Sequence, residues 1–255
     1  MSIEPQVVVQ PSLEALSREA AARFERLSDQ SIASTGRFSV ALSGGSTPLA
    51  LFRLLAEPPF REAIAWSRVH LFWGDERFVP PDHPDSNYGA ALEALVRRVP
   101  IPADNVHPIP TKTADPETAA TQYEDTLRRF IATPKGEVPR FDLVLLGLGP
   151  DGHTASLFPG LPALDENRHL VVATYVPKLA AWRITLTPPV LRGARHVVFL
   201  VSGPDKAAVL RDVLEGPHDP HRLPAQLVRP QDGDDLTWLV DEAAASLLSA
   251  QLKGR

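Results

Sequence analysis

Apolar positions recur at helical spacing near the start of the chain. Those that follow Pro11 lie three or four residues apart, at Leu13, Leu16, Ala20, Phe24 and Leu27. This spacing predicts an amphipathic helix that packs through a single stripe. The segment Gln6–Val9 (QVVV) ahead of it predicts a short strand.

Short apolar runs rich in β-branched residues then alternate with helical segments. The runs predict strands at Phe38–Leu42, Val69–Trp73, Phe141–Leu146, Leu170–Thr174, Ile184–Leu186 and Val197–Val201. Capping residues predict helix starts at Thr47 before Pro48, Ser86 before Asn87, Asp115 before Pro116 and Asp241 before Glu242. Alternation on this scale predicts βαβ units, and hence an α/β fold with a mainly parallel sheet and helices on both faces.

The composition is that of a globular protein. With 255 residues, of which 44% are hydrophobic and 22% charged, we predict one domain over residues 1–255. The 26 prolines are spread between the periodic segments and mark loops. The formal charge of −5 argues against nucleic acid or an anionic membrane as a partner, so an anion has to be bound by a few placed groups.

Cysteine is absent, which excludes a disulfide framework, a thiolate nucleophile and a cysteine zinc site. The N-terminal segment MSIEPQVVVQP has neither the basic start nor the apolar core of a signal peptide. No apolar run approaches the ~20 residues of a membrane helix. We therefore expect a cytoplasmic protein.

The loop after the strand Phe38–Leu42 is rich in glycine and hydroxyl groups, and ligands of open parallel sheets bind at such strand ends. Its residues are Ser43, Gly44, Gly45, Ser46 and Thr47. Paired glycines and a helix N-terminus expose N–H groups that can hold a phosphate. The alternative is an ordinary glycine turn with a threonine cap, and the loop lacks the lysine of a nucleotide-binding P-loop.

A run of three charged residues follows the strand Val69–Trp73: after Gly74 come Asp75, Glu76 and Arg77. Such a run is often a solvated rim. At a strand end, however, Arg77 is suited to hold a substrate oxygen or to stabilise an oxyanion, and Asp75 to orient a hydroxyl or a neighbouring base.

The loop after Phe141–Leu146 carries the spacing G-x-G-x-x-G, in Gly147, Gly149 and Gly152. This spacing is typical of dinucleotide binding when a helix follows, but Pro159 leaves room for barely two helical turns. The strand Leu170–Thr174 also ends without the acidic residue that binds a ribose. The context therefore argues against a dinucleotide.

His153 lies in the same loop, two residues after Asp151. A lone histidine is more often structural, but an imidazole at a strand end is suited to draw a proton from water at neutral pH. Since cysteine and a G-x-S-x-G serine are both missing, water is the expected nucleophile. The eight histidines are scattered. The closest pair, His218 and His221, lies in the Pro-rich loop GPHDPHRLP without supporting carboxylate order, so no metal site is predicted.

Two further cations follow later in the chain, Arg183 and Lys206. Each lies close to a strand end, where a sugar phosphate needs counter-charge. Either side chain is also consistent with a plain surface charge.

Six motifs, taken together, resemble the 6-phosphogluconolactonases, in order and over nearly the whole chain: LSGGSTP, FWGDER, SNYGAA, GLGPDGHTASLFPG, RITLTPPVL and SGPDKAAVL. The resemblance implies hydrolysis of 6-phospho-D-glucono-1,5-lactone to 6-phosphogluconate in the oxidative pentose phosphate pathway, without a cofactor. It also implies the three-layer, doubly wound, Rossmann-like α/β fold that this family shares with the glucosamine-6-phosphate deaminases. The expected partner is a phosphorylated sugar lactone, bound by a monomer or a weak homo-oligomer.

Carried over to this sequence, the resemblance assigns the 6-phosphate to the amides of Gly44 to Thr47, with Arg183 and Lys206 as counter-charges. It makes His153 the catalytic base. The residues that it places around the sugar and the reacting centre are Asp75, Arg77 and Asp151.

The sequence departs from the motifs of its relatives at two places that bear on the choice between lactonase and deaminase. Deaminase relatives carry a glutamate five residues after the histidine, where this chain has Phe158, so the proton relay for ammonia release is incomplete. Lactonase relatives usually carry prolines after the lysine, where this chain has Leu179 and Ala180, which leaves the role of Lys178 open. The rival functions are a deaminase and a non-catalytic sugar-phosphate sensor, and neither terminus shows the helix-turn-helix of a DNA-binding sensor.

Overall fold

The computed structural model describes residues 6–131, 138–229 and 235–253. The strands are β1 (Gln6–Gln10), β2 (Phe38–Leu42), β3 (Val69–Trp73), β4 (Asp75–Arg77), β5 (Val106–His107), β6 (Leu143–Leu146), β7 (Val171–Val176), β8 (Ala181–Leu186), β9 (His196–Val201) and β10 (Asp235–Asp241). The α-helices are α1 (Leu13–Thr35), α2 (Ser46–Leu55), α3 (Phe60–Ala63), α4 (Asn87–Ala94), α5 (Pro116–Phe130), α6 (Pro188–Arg192), α7 (Ala207–Glu215) and α8 (Ala250–Lys253). Short 3₁₀ turns connect several of them.

A parallel sheet forms the centre of the molecule. Its strand order is β1-β10-β9-β6-β2-β3-β5, and every neighbouring pair is parallel. All residues of β2 and β6 are buried, because helices flank the sheet and a parallel sheet presents no face to water. The predicted α/β class with a mainly parallel, doubly wound sheet is confirmed.

The predicted first helix is confirmed as α1. Ser12 caps its start by accepting the Ala15 N–H, and Gly36 ends it in the left-handed conformation at φ +81°. The stripe packs onto the sheet, where Phe24 meets Phe38 edge to face with ring centroids 5.2 Å apart. Leu13, which begins the helix, is the one member of the stripe that stays exposed.

A second sheet, antiparallel and three-stranded, has the order β4-β8-β7. The segments predicted as strands at Leu170–Thr174 and Ile184–Leu186 are β7 and β8, so they form strands but do not join the parallel sheet. They form a hairpin around the turn Pro177–Leu179, too short a connection for a parallel crossover. The strand β4 was not predicted, because its three residues are all charged.

The predicted helix starts have mixed outcomes. Ser86 caps α4 and Asp115 caps α5, each through a side-chain oxygen that accepts a first-turn N–H. The expected cap at Thr47 is wrong, since α2 begins at Ser46 and Gly45 occupies the cap position without a side-chain bond. The helix expected after Asp241 is also wrong: a 3₁₀ turn, Ala244–Leu247, precedes the short α8.

The reason for the second error lies in the contacts of Asp241. Its carboxylate accepts the Ser202 hydroxyl and the Gly203 N–H as well as the Ala244 N–H. It therefore links two strand ends and does not serve a helix alone. Over the described ranges, no helix has both the length and the apolar character needed to cross a membrane.

Candidate active site

A cavity of about 400 Å³ opens at the carboxyl ends of the central strands. Its walls come from the loops that follow β2 and β6 and from β4, which follows β3 directly. This is the edge where open parallel sheets bind ligands, because loops from adjacent strands diverge there. The lining residues are Ser43, Gly44, Gly45, Asp75, Arg77, Asn87, Gly147, Leu148, Gly149, His153, Thr154, Ala155, Ser156, Phe158, Leu179 and Arg183.

The loop after β2 presents polar groups to this cavity. Gly45, at φ +105°, leads into α2, whose start has no side-chain cap, so its first N–H groups are open to a ligand. The Ser43 hydroxyl is buried and has no hydrogen-bond partner among the described residues. Ser46 and Thr47 form the first turn of α2 and do not line the cavity themselves.

Two arginines face each other across the second sheet. Arg77 on β4 and Arg183 on β8 are directly paired in register, and both line the cavity. Burial and the neighbouring Arg77 charge lower the pKa of the Arg183 guanidinium. Like charges in this position are unfavourable on their own, so the pair is suited to an anionic ligand.

The two guanidiniums differ in their protein contacts. Arg77 donates to the backbone carbonyl of Asp85. The Arg183 guanidinium has no side-chain hydrogen bond or ion pair with any other residue that the structure describes, although the backbone of Arg183 pairs in the sheet. Its charge is therefore available to a ligand in the cavity.

His153 is paired with Asp151. Nδ1 of the imidazole lies 2.5 Å from Oδ1 of the carboxylate. Burial opposes ionisation of Asp151, but hydrogen bonds from His153 and Lys178 hold the pKa of that carboxyl well below its ordinary value. A carboxylate only accepts, so the proton of a neutral imidazole sits on Nδ1, and Nε2 carries the free lone pair.

The surroundings of the imidazole determine its position. Its ring stacks on Phe158 with centroids 4.1 Å apart. On the other side, a Cβ at Gly149 would lie only 2.0 Å from the ring, so that glycine is required for the close approach. The turn itself is closed by Gly152 at φ +78° and by the N–H of Gly149, which donates to the His153 carbonyl.

Asp75 is held by side chains that the sequence did not single out. Ser156 donates its hydroxyl to one carboxylate oxygen at 2.7 Å, and the Asn87 amide donates to the Asp75 carbonyl at 2.9 Å. Asn87 also lies against Gly44, where a Cβ would be 1.9 Å from its amide oxygen. The segment SNYGAA contains this residue, but only packing brings it to both loops.

Glu76 has a structural role within the charged triplet. Its buried carboxylate accepts three backbone N–H groups, those of Arg77, Asn87 and Tyr88, and the Ser86 hydroxyl. Burial raises its pKa, and these hydrogen bonds oppose the shift. Alternation along β4 turns Glu76 away from the cavity that Asp75 and Arg77 line.

Not every predicted site residue lines the cavity. Lys206 is absent from its walls, and its ammonium lies 3.2 Å from the Asp205 carboxylate. Asp151 does not line the cavity either, but its carboxylate contacts His153, which does. Gly147 and Gly149 do line it, but a turn and not a helix follows them, which agrees with the argument against a dinucleotide. In the described part of the chain no group of three or more potential ligands is placed to hold a metal ion.

These features define a class: a Rossmann-like α/β protein with an anion-binding cleft at the carboxyl edge of its sheet. Residues 11–238 match the family described as glucosamine-6-phosphate isomerases/6-phosphogluconolactonase. The chain belongs to this family.

Its similarity to characterised relatives extends over most of the chain. It is 46% identical to a 6-phosphogluconolactonase of Synechocystis sp. over 219 residues, which is 86% of this chain and 88% of the relative. For a 6-phosphogluconolactonase of Nostoc sp. the identity is 43% over 221 residues, with 87% and 89% coverage.

Solved structures of similar proteins have the same fold. The 6-phosphogluconolactonase from Trypanosoma cruzi superposes with a TM-score of 0.85 at 34% identity, over 98% of this chain and 99% of that one. A monomeric glucosamine-6-phosphate deaminase superposes with a TM-score of 0.77 at 23% identity, over 95% and 99%. At that identity the second likeness shows the shared fold alone.

Proposed function

We propose that the protein hydrolyses 6-phospho-D-glucono-1,5-lactone to 6-phosphogluconate, the lactone step of the oxidative pentose phosphate pathway. The observation that supports it most directly is the sharing of one cavity by His153, Arg183 and the Ser43–Gly45 loop. In this proposal the phosphate binds at the loop and at Arg183, and the lactone ring extends from there towards the imidazole. The names of the similar proteins support the same substrate.

The catalytic base in this proposal is Nε2 of His153. It removes a proton from water while the resulting hydroxide attacks the lactone carbonyl carbon. The tetrahedral intermediate then collapses with cleavage of the bond to the ring oxygen, which takes the proton back from the imidazolium. Atoms balance with water alone, and general-base help of this kind is worth about 10²–10⁴-fold.

Asp151 and Arg77 support these steps. Asp151 keeps the Nδ1 proton in place and stabilises the imidazolium while it exists. Arg77 lines the cavity, and we assign it to the carbonyl oxygen. One good donor at a developing negative charge contributes about 10²–10³-fold. Asp75, fixed by Ser156 and Asn87, is suited to bind sugar hydroxyls.

Phosphate binding provides the positioning. We assign the phosphate to the Ser43 hydroxyl, the amides at the start of α2 and the Arg183 guanidinium. A direct phosphate role for Lys206 requires its ammonium to leave Asp205. Phe158 stacks on His153 at the position where deaminase relatives carry a glutamate, which favours the lactonase reaction over ammonia release.

The test separates binding from chemistry. Freshly generated phosphogluconolactone is followed by acid release above the spontaneous rate, with an ammonia assay on glucosamine 6-phosphate as the control. We expect His153→Ala to lose about 10²–10⁴-fold in kcat with a modest change in KM. Arg183→Ala should instead raise KM about tenfold or more.

Two results would contradict the proposal. Near-normal turnover of His153→Ala would remove the base from the mechanism. Ammonia release without acid release by the wild type would assign the protein to the deaminase branch of its family.

A further inference from the structure

We propose that Lys178 is a positioning residue for this reaction: it holds the Asp151–His153 pair in its working geometry and joins the β7–β8 hairpin to the loop that carries them. The inference rests on the proposed function. Lys178 lies in the turn between the two strands, Pro177–Leu179, and its neighbour Leu179 lines the cavity.

The first observation is a chain of polar contacts. The Lys178 ammonium donates to Oδ2 of Asp151, while Oδ1 receives Nδ1 of His153 at 2.5 Å. The backbone N–H of His153 reaches the same Oδ1 at 3.3 Å. Both carboxylate oxygens therefore have partners, and rotation of the carboxylate away from the imidazole would break the contact with Lys178.

The second observation is that Lys178 and His153 share one aromatic ring. The ammonium lies 4.8 Å from the centroid of Phe158, and the imidazole stacks on that ring at 4.1 Å. A cation at this distance is attracted to the ring face. Lys178, Asp151, His153 and Phe158 thus form a closed cluster in which each member contacts two others.

The hairpin presents Lys178 from a fixed backbone. The strands pair up to Val176 and Ala181, and Ala180 closes the turn at φ +47° with its N–H donating to the Pro177 carbonyl. The hairpin is in turn paired to β4 of the cavity wall. The Lys178 side chain is half exposed, so the ion pair adds little to stability. Its contribution is to fix the position of the Asp151 carboxylate.

Loss of the ammonium has two consequences. The carboxylate gains freedom to rotate, so the imidazole is less often aligned with the water. The Phe158 ring, on which the imidazole stacks, also loses its contact with the cation and is held less firmly. The other charged groups that line the cavity, Asp75, Arg77 and Arg183, are unchanged.

The experiment compares Lys178→Met and Lys178→Arg with Lys112→Met, which removes an exposed lysine outside this cavity. For Lys178→Met we expect kcat to fall about threefold to fivefold, the upper part of the scale of one half-exposed ion pair. KM for the phospholactone should change less than about twofold, because the phosphate contacts remain. Lys178→Arg should recover most of kcat, and Lys112→Met should match the wild type.

A readout without substrate separates this inference from the proposed function. The low-field proton NMR signal of the His153 Nδ1–H, which donates to the Asp151 carboxylate, should be weaker and exchange faster with solvent in Lys178→Met than in the wild type or Lys112→Met. If the wild type hydrolyses no lactone but this difference is present, the proposed function fails and the positioning role stands. An unchanged Nδ1–H signal with unchanged kcat, or a change confined to KM, would overturn the positioning role.

Discussion

Gly149 offers a way to move the imidazole that we propose as the catalytic base without altering any polar group. A Cβ at this position would lie 2.0 Å from both Nδ1 and Cε1 of His153, whereas ordinary contacts begin at 3.4 Å. In Gly149→Ala the ring therefore has to retreat by about 1.4 Å. The imidazole is partly exposed, so it can swing outward and give up Asp151.

The expected effect on catalysis is large and that on stability small. A displacement of about 1 Å at a reacting group costs roughly 10²-fold, so we expect kcat to fall about a hundredfold. Loss of the hydrogen bond to Asp151 is offset in part by the lower chain entropy of alanine, for a net cost of about 1 kcal/mol. That corresponds to a fall of about 2–4 °C in Tm.

The measurement combines acid-release kinetics with thermal unfolding. The control is Gly74→Ala, where the nearest atom to a Cβ is an ordinary 3.5 Å away and kcat should stay within about twofold. In the double variant with His153→Ala, the Gly149 substitution should have no further effect, because both changes remove the same group. A Gly149→Ala enzyme with kcat within about threefold of the wild type, or with fully additive effects, would refute the reasoning.

Two further predictions concern stability. Glu76→Gln leaves three backbone N–H donors and a serine hydroxyl without the buried carboxylate that accepts them. We therefore expect a loss of about 2–3 kcal/mol in the free energy of urea unfolding, against no change for Glu62→Gln, whose side chain is exposed. Burial, then the charge of His107 and then that of Arg37 lower the pKa of His70 from 6.5 to about 4. As the pH drops, the unfolded chain therefore binds a proton at His70 before the folded protein does, and the stability should fall between about pH 6.5 and pH 4. His70→Gln should flatten the dependence of the urea midpoint on pH over that window, and parallel curves for the two proteins would contradict it.

Local patterns predicted the main strands well. The ends of β2 and β3 coincide with the predicted ones, because an apolar run bounded by polar residues has the same limits as a buried strand. Capping at Ser86 and Asp115 was predictable for a similar reason, since each cap is a contact within three residues. The hairpin β7–β8 was assigned to the wrong sheet, because an apolar run does not specify its pairing partner.

The candidate site was predicted in part. Parallel topology alone directs the loops of Ser43, Asp75 and His153 to one edge, and the structure brings all three to a common cavity. The roles of Asn87 and Lys178 could not be predicted, since their contacts depend on how α4 and the β7–β8 hairpin pack. Lys206 was predicted as a site residue because it lies near a strand end, but in the structure it pairs with Asp205 and does not line the cavity.

The amino-acid sequence by itself determined which segments are buried, where chain direction reverses and which loops reach the carboxyl edge of the sheet. These properties follow from hydrophobic periodicity, capping and glycine conformations, all of which act over a few residues. Only the tertiary structure decided which polar and charged groups meet. Ser156 reaches Asp75 across 81 residues and Lys178 reaches Asp151 across 27, and such contacts arise when distant elements pack, because side-chain distances depend on the whole core.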